Sequence, residues 1–176
     1  AADLPDIADE SLLAWREELF ALAQDRSKPI ELRAAEILQT AGRTLSHHSW
    51  AEWAEIYQEL ERLETSWTDR LLEKETDWTG ISLPDAMAWE PALEQLLVYF
   101  LYRQIPLALD DGEYEGRAAF AVLSFAMIRR LLLVHFALHG SVVLADLIEI
   151  ARQYSAEIEY SDENVEILLY RIQEVL

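Results

Sequence analysis

Residues 118–140 read "AAFAVLSFAMIRRLLLVHFALHG", a run whose few polar side chains are Ser124, Arg129, Arg130, His135 and His139. A helix this apolar on every side has to be surrounded, either by lipid or by other helices of its own chain. The length suits a membrane span. However, two arginines at its centre would each cost about 2.5 to 3.5 kcal/mol on insertion. Burial inside a helical bundle explains the run better, so the other elements must be amphipathic and wrap it. A second run, "LLVYFLYRQIPLAL" at 96–109, is interrupted only by Arg103 and Gln104 among apolar residues and a proline. It calls for the same treatment.

The rest of the sequence supplies wrapping helices. It is rich in Leu, Ala, Glu and Arg, all good helix formers, and shows no sustained alternation of the kind that marks strands. A first helix is expected over about 9–25, with Leu12, Leu13, Trp15, Leu19, Phe20 and Leu22 as its apolar stripe. Pro29 suits the first turn of a second helix, where its missing N–H would have had no partner. "SWAE" at 49–52 reads as a capping box, Ser49 capping and Glu52 reaching back. Trp50, Trp53, Tyr57 and Leu60 then share one face, as core or as a ligand wall. A short helix follows near 66–74, and residues 75–91 form the longest irregular stretch.

Four helices are expected behind it. The first runs over about 90–108, with Pro91 near its start and Pro106 disturbing its end. The second covers about 115–139 and stops at Gly140, a natural C′ residue. The third opens at Ser141 and runs to about Tyr154. The last is capped by Ser161 and begins with acidic residues that complement the helix dipole. The expected fold is all-α: a compact bundle of about seven to eight helices with two central, mostly buried helices. One domain over 1–176 is expected, with an amphipathic front (1–75), a connection (76–90) and a hydrophobic back (91–176).

Charge narrows the function. With 14 basic against 33 acidic residues the net charge is −19. Such a surface repels phosphate backbones, which excludes nucleic-acid binding unless the arginines cluster, and it favours a basic protein partner. No cysteine is present, so there is no disulfide, thiolate metal site or thiol nucleophile. The first residues, "AADLPDIADE", are acidic and polar, with no secretory signal and no initiator methionine. A cytoplasmic location is expected, for a piece of a longer protein or a processed chain.

Motifs for chemistry are scarce. There is no GxGxxG, no GxxxxGK[ST], no GxSxG, no HExxH and no ExxH pair. His135 and His139 lie four apart on one helical face and are weak metal candidates, because no carboxylate at helical spacing joins them. Arg103, Arg129 and Arg130 are the more informative set. A buried guanidinium must be paired, with Asp146, Glu149, Glu157 and Glu159 as candidate partners. Two readings stand. Either the arginines form a structural ion-pair network, or they line a polar pocket able to hold a carboxylate or orient a substrate.

Three stretches together resemble the C-terminal helical region of flagellin lysine-N-methylase-type proteins: "WREELFALAQDRSKPIELR" at 15–33, "LLVYFLYRQ" at 96–104 and "LADLIEIARQYSAEIEYSDENVEILL" at 144–169. The matching polar points are Arg26, Arg33, Tyr99, Arg103, Tyr154, Glu157, Ser161 and Asn164. The resemblance implies methyl transfer to lysine side chains of flagellin, with S-adenosylmethionine as donor. It also implies a cysteine-rich cluster ahead of the helical region, holding a metal or iron–sulfur centre. Without cysteine, this chain would be an accessory or substrate-binding module of such a protein, carrying no cofactor itself; the alternative is a non-catalytic interaction domain with structural arginines. The sequence departs from the family at Ala156 and Tyr160, where Arg and His are usual. Tyr99, Arg103, Arg129, Tyr154, Glu157 and Glu159 are the pocket or ion-pair candidates. Shared membership of the matching points makes Glu157 the expected partner of a buried Arg103.

Overall fold

The computed structural model describes residues 7–45, 47–73 and 81–176. In chain order these form α1 (Ile7–Ala23), α2 (Ile30–Thr40), α3 (His47–Glu59), α4 (Thr65–Leu72), α5 (Ala86–Asp111), α6 (Tyr114–His139) and α7 (Leu144–Tyr154). A single π-helical turn (Ser155–Glu159) then leads into α8 (Asp162–Val175). No strand occurs among the described residues. The long apolar run is α6, which buries the larger part of its length, including Ala118 to Phe125 without a break. By length and composition α6 would cross a membrane, with a mean hydropathy of 1.8, but 61% of that window is buried inside the protein.

α5 lies along α6 in the most extensive helix pair of the fold. α2 packs on both, α1 packs on α2 and α5, and α7 and α8 pack on α6. One hydrophobic cluster therefore runs from Leu19 of α1 to Ile172 of α8. The aromatic face of α3 belongs to it: Trp53, Tyr57 and Leu60 are buried and Trp50 packs against its edge.

Several boundaries differ from the sequence expectation. α5 begins at Ala86 and ends at Asp111, so Pro91 and Pro106 both lie inside it. Each proline deprives the carbonyl four residues earlier of its donor. Those carbonyls belong to Met87 and Tyr102, both exposed, where solvent can replace the missing bond. α3 starts two residues before the expected cap, making Ser49 its third residue; that side chain lies outside those described. α7 starts at Leu144 rather than Ser141, its first turn fixed by the Asp146 carboxylate, which accepts the Val143 N–H at 2.7 Å. Residues 76–80 of the expected connection, with 74 and 75 before it, lie outside the described residues.

Gly140 ends α6 as expected, at φ 73, with its N–H donating to the Phe136 carbonyl at 2.8 Å. A Cβ added there would meet nothing within 4 Å, so the cost of Gly140→Ala is purely that of the left-handed backbone. It is expected to be about 1 kcal/mol, read as a lower urea midpoint. An unchanged midpoint would show that the helix end tolerates another conformation.

Candidate functional site

Arg103 does meet a carboxylate from the C-terminal third, but the partner is Glu159 and the arginine is not buried. Its Nε donates to Glu159 Oε1 at 2.7 Å, with the arginine side chain 47% exposed and the glutamate 1%. The Tyr99 hydroxyl donates to the same carboxylate at 2.9 and 3.0 Å. Burial, and then the hydrogen bond to Glu159, push the Tyr99 phenol well above its usual range. The expectation of a water-free Arg103 fails because α5 is wrapped on one side only. Its buried face is Leu93, Leu97, Phe100, Leu101, Ile105 and Ala108, while Tyr102, Leu107 and Leu109 face solvent beside Arg103. Arg103→Ala is accordingly expected to cost about 1 to 2 kcal/mol in urea unfolding, since Glu159 keeps the Tyr99 bond. A loss of about 3 kcal/mol or more would indicate a pair that behaves as fully buried.

Glu157 occupies a different place. The π turn and the two-residue offset aim it away from Glu159 and into the interior, where it is completely buried. Its carboxylate accepts the backbone N–H groups of Leu63 at 2.7 Å and Glu64 at 2.5 Å, immediately before α4. Asn164 of α8 holds the same connection. It accepts the Glu61 N–H at 3.1 Å and donates to the carbonyls of Glu61 at 3.0 Å and Glu157 at 2.8 Å. Ser161 caps α8 by accepting the Asn164 N–H at 3.3 Å.

Tyr154 is likewise interior. Its hydroxyl is 2.7 Å from that of Tyr57 and donates to Ser124 Oγ at 2.9 Å. Its ring packs edge-on against Trp67 and Phe100. Burial raises both phenols, which favours their protonated forms. Arg129 pairs with Glu31 of α2, a partner 98 residues away. Arg130 lies over the Trp50 ring, 5.2 Å from its centroid, and burial lowers its pKa. The structure thus brings Tyr99, Arg103 and Glu159 together and sets Glu157, Tyr154 and Arg129 in three other environments.

Sequence reasoning missed one polar cluster. Arg33 is buried and donates from Nη1 to Glu94 at 2.6 Å and from Nη2 to Glu90 at 3.0 Å. It also binds the carbonyls of Lys28 at 2.8 Å and Ala23 at 3.1 Å. Arg26 adds bonds of 2.9 to 3.2 Å to Glu94. The readable signal was the i, i+4 spacing of Glu90 and Glu94, which places two carboxylates on one face of α5.

The two histidines stack, with ring centroids 4.4 Å apart. His135 Nε2 is 3.5 Å from Asp146 and His139 Nε2 is 4.0 Å from Glu73. These are separate contacts. Among the described residues no group of three or more His, Asp or Glu side chains is arranged to hold a metal ion.

A family model, FliB lysine N-methylase C-terminal domain, matches residues 37–175. The match takes in the stretches at 96–104 and 144–169, and leaves 15–33 outside it. No curated protein and no solved structure matched the chain. A match over this much of the sequence, from the end of α2 to the end of α8, places the chain in the family of FliB lysine N-methylase C-terminal domains.

Proposed function

We propose that this chain is the accessory, partner-binding part of a lysine-N-methylase-like protein and that it recognises a basic, lysine-bearing protein such as flagellin. The observation that carries the reading is the charge. With 33 acidic and 14 basic residues, at least 19 carboxylates (33 − 14) have no basic counterpart within the chain. Several basic residues are engaged within the chain: Arg33, Arg103 and Arg129 each hold a carboxylate. Exposed carboxylates without a basic partner, such as Glu17, Glu18, Glu55, Glu163 and Glu166, can meet lysine side chains on a partner, with gains in encounter rate and specificity. Such a module would work in the cytoplasm, where an S-adenosylmethionine-dependent methylase has its donor.

The chain has no cysteine to hold an iron–sulfur centre, and among the described residues the histidines are not grouped with further ligands. Catalysis is assigned to the rest of the parent protein. The test combines a binding assay with an activity assay. The chain is expected to bind flagellin at low ionic strength and to release it as salt rises. Mass spectrometry is expected to show no methyl-lysine after incubation with flagellin and S-adenosylmethionine. Methylation by the chain alone, or no binding at low salt, overturns the proposal.

The alternative, a helical interaction domain whose arginines are purely structural, draws on the Arg33 and Arg103 pairs. It predicts that removing acidic charge from the surface leaves partner binding unaltered while Arg33→Ala acts on stability alone.

A further inference from the structure

A cleft of about 440 Å³ opens on the surface between α5, α7 and the π turn. α5 contributes Leu96, Tyr99 and Phe100 to it, and α7 contributes Ile148 and Ala151. Ala156 of the π turn and Tyr160 just after it complete the apolar lining. Ile148 is 61% exposed and Tyr160 is 67% exposed, so large apolar side chains at the cleft face water. Tyr102, one turn beyond Tyr99, and Leu144, one turn before Ile148, are exposed as well. A single exposed apolar residue needs no explanation, but a group of them around a cleft marks an interaction surface.

Charge decides what fits there. Among the described residues the one charged side chain lining the cleft is Arg152, which is held by Glu149 at 2.9 Å and Glu64 at 3.3 Å. The Tyr99 hydroxyl is turned to Glu159, which Arg103 pairs. The cleft therefore offers apolar and aromatic surface with no unpaired charge, so the group that enters it is uncharged. Just outside, Asp162 and Glu163 lie two and three residues beyond Tyr160, exposed and without a basic partner among the described residues. They add negative potential beside the cleft, in a chain of net charge −19. A second copy of this chain would bring the same acidic surface against itself and be repelled. A segment with lysines flanking an apolar residue meets both requirements.

We propose that this cleft docks a segment of a basic protein. One apolar side chain of the segment sits against Tyr99, Ile148 and Tyr160, and lysines on its flanks meet Asp162 and Glu163. The proposal rests on the reading above for the basic character of the partner, but not on that partner being flagellin.

Fluorescence anisotropy with a labelled amphipathic peptide of leucine and lysine, at low ionic strength, tests it. The wild-type chain is expected to bind this peptide saturably. Replacing the peptide's leucines by serine keeps its charge but removes the anchor, and is expected to weaken binding by about fivefold or more. Ile148→Ser and Tyr160→Ser, both at exposed positions, and Ala156→Trp, which fills the cleft, are each expected to weaken binding of the leucine–lysine peptide by about fivefold or more. Met87→Ser, at an exposed position outside the cleft, is expected to bind like wild type. The double change Asp162→Asn and Glu163→Gln is expected to weaken binding and flatten its salt dependence. Far-UV circular dichroism confirms that each variant is folded. No binding of the leucine–lysine peptide, equal binding of the serine peptide, or wild-type affinity in Ile148→Ser and Tyr160→Ser overturns the proposal. So does an unchanged salt dependence in the double variant. Flagellin run in parallel separates the two readings: if it fails to bind while the peptide binds at the cleft, the flagellin reading falls and the docking site stands.

Discussion

Arg33→Ala is expected to lower the unfolding free energy by about 3 to 5 kcal/mol, the range for removing one partner of a buried ion pair. The arginine is 2% exposed and every part of its guanidinium is used. It joins the end of α1, through the Ala23 carbonyl, to the entry of α2, through the Lys28 carbonyl, and both to Glu90 and Glu94 of α5. Its removal strands two carbonyls and leaves Glu94 with the largely exposed Arg26 alone. Arg33→Lys should recover only part of the loss, because an ammonium cannot reproduce the planar fork. Urea unfolding at neutral pH reads the difference; a loss below about 1 kcal/mol would mean that solvent readily replaces the network. The pH dependence has a definite sign. The Arg26 hydrogen bond first, and that of Arg33 next among the favourable causes, hold the Glu94 carboxyl below its usual range. A depressed carboxylate contributes stability above its unfolded pKa and loses it as pH falls through the folded value. The gap between wild type and Arg33→Ala should therefore narrow in acid.

Glu157→Ala is expected to cost about 2 to 4 kcal/mol, as two backbone donors lose their acceptor and a cavity opens in the interior. Among the described residues no arginine pairs with Glu157. Its hydrogen bonds come from the Leu63 and Glu64 N–H groups, at the positive end of α4. Amide hydrogen exchange should report the loss locally, with faster exchange at Leu63 and Glu64. Glu157→Gln retains one acceptor oxygen and should be intermediate. Because Arg103 bonds Glu159 and not Glu157, the losses from Arg103→Ala and Glu157→Ala should add. Strong coupling between them would mean that the two carboxylates share a partner after all.

The matching polar points of the sequence turn out to be fasteners. Tyr154, Glu157, Ser161 and Asn164 hold the π turn, α8 and the connection before α4 to one another and to the core. Tyr99 and Arg103 pin α5 to the same turn through Glu159. The residues on which the sequence resemblance was read thus fix how the helices dock.

Periodicity and helix-end chemistry were enough for the all-α class, for the central place of α6, for its stop at Gly140 and for the Ser161 cap. Each of these depends on residues within a few positions of one another: an all-round apolar surface, a left-handed glycine, a side-chain oxygen three residues before an N–H. Charge pairing was beyond such local signals. Glu157 and Glu159 are two residues apart and chemically identical, yet the π turn sends one inward to backbone donors and the other to Arg103. Arg129 finds Glu31 across 98 positions. Hydrophobic spacing reports which face of a helix avoids water. The partner of a charged group depends on the angle and register at which two distant helices dock, and in this chain only the tertiary structure decided those.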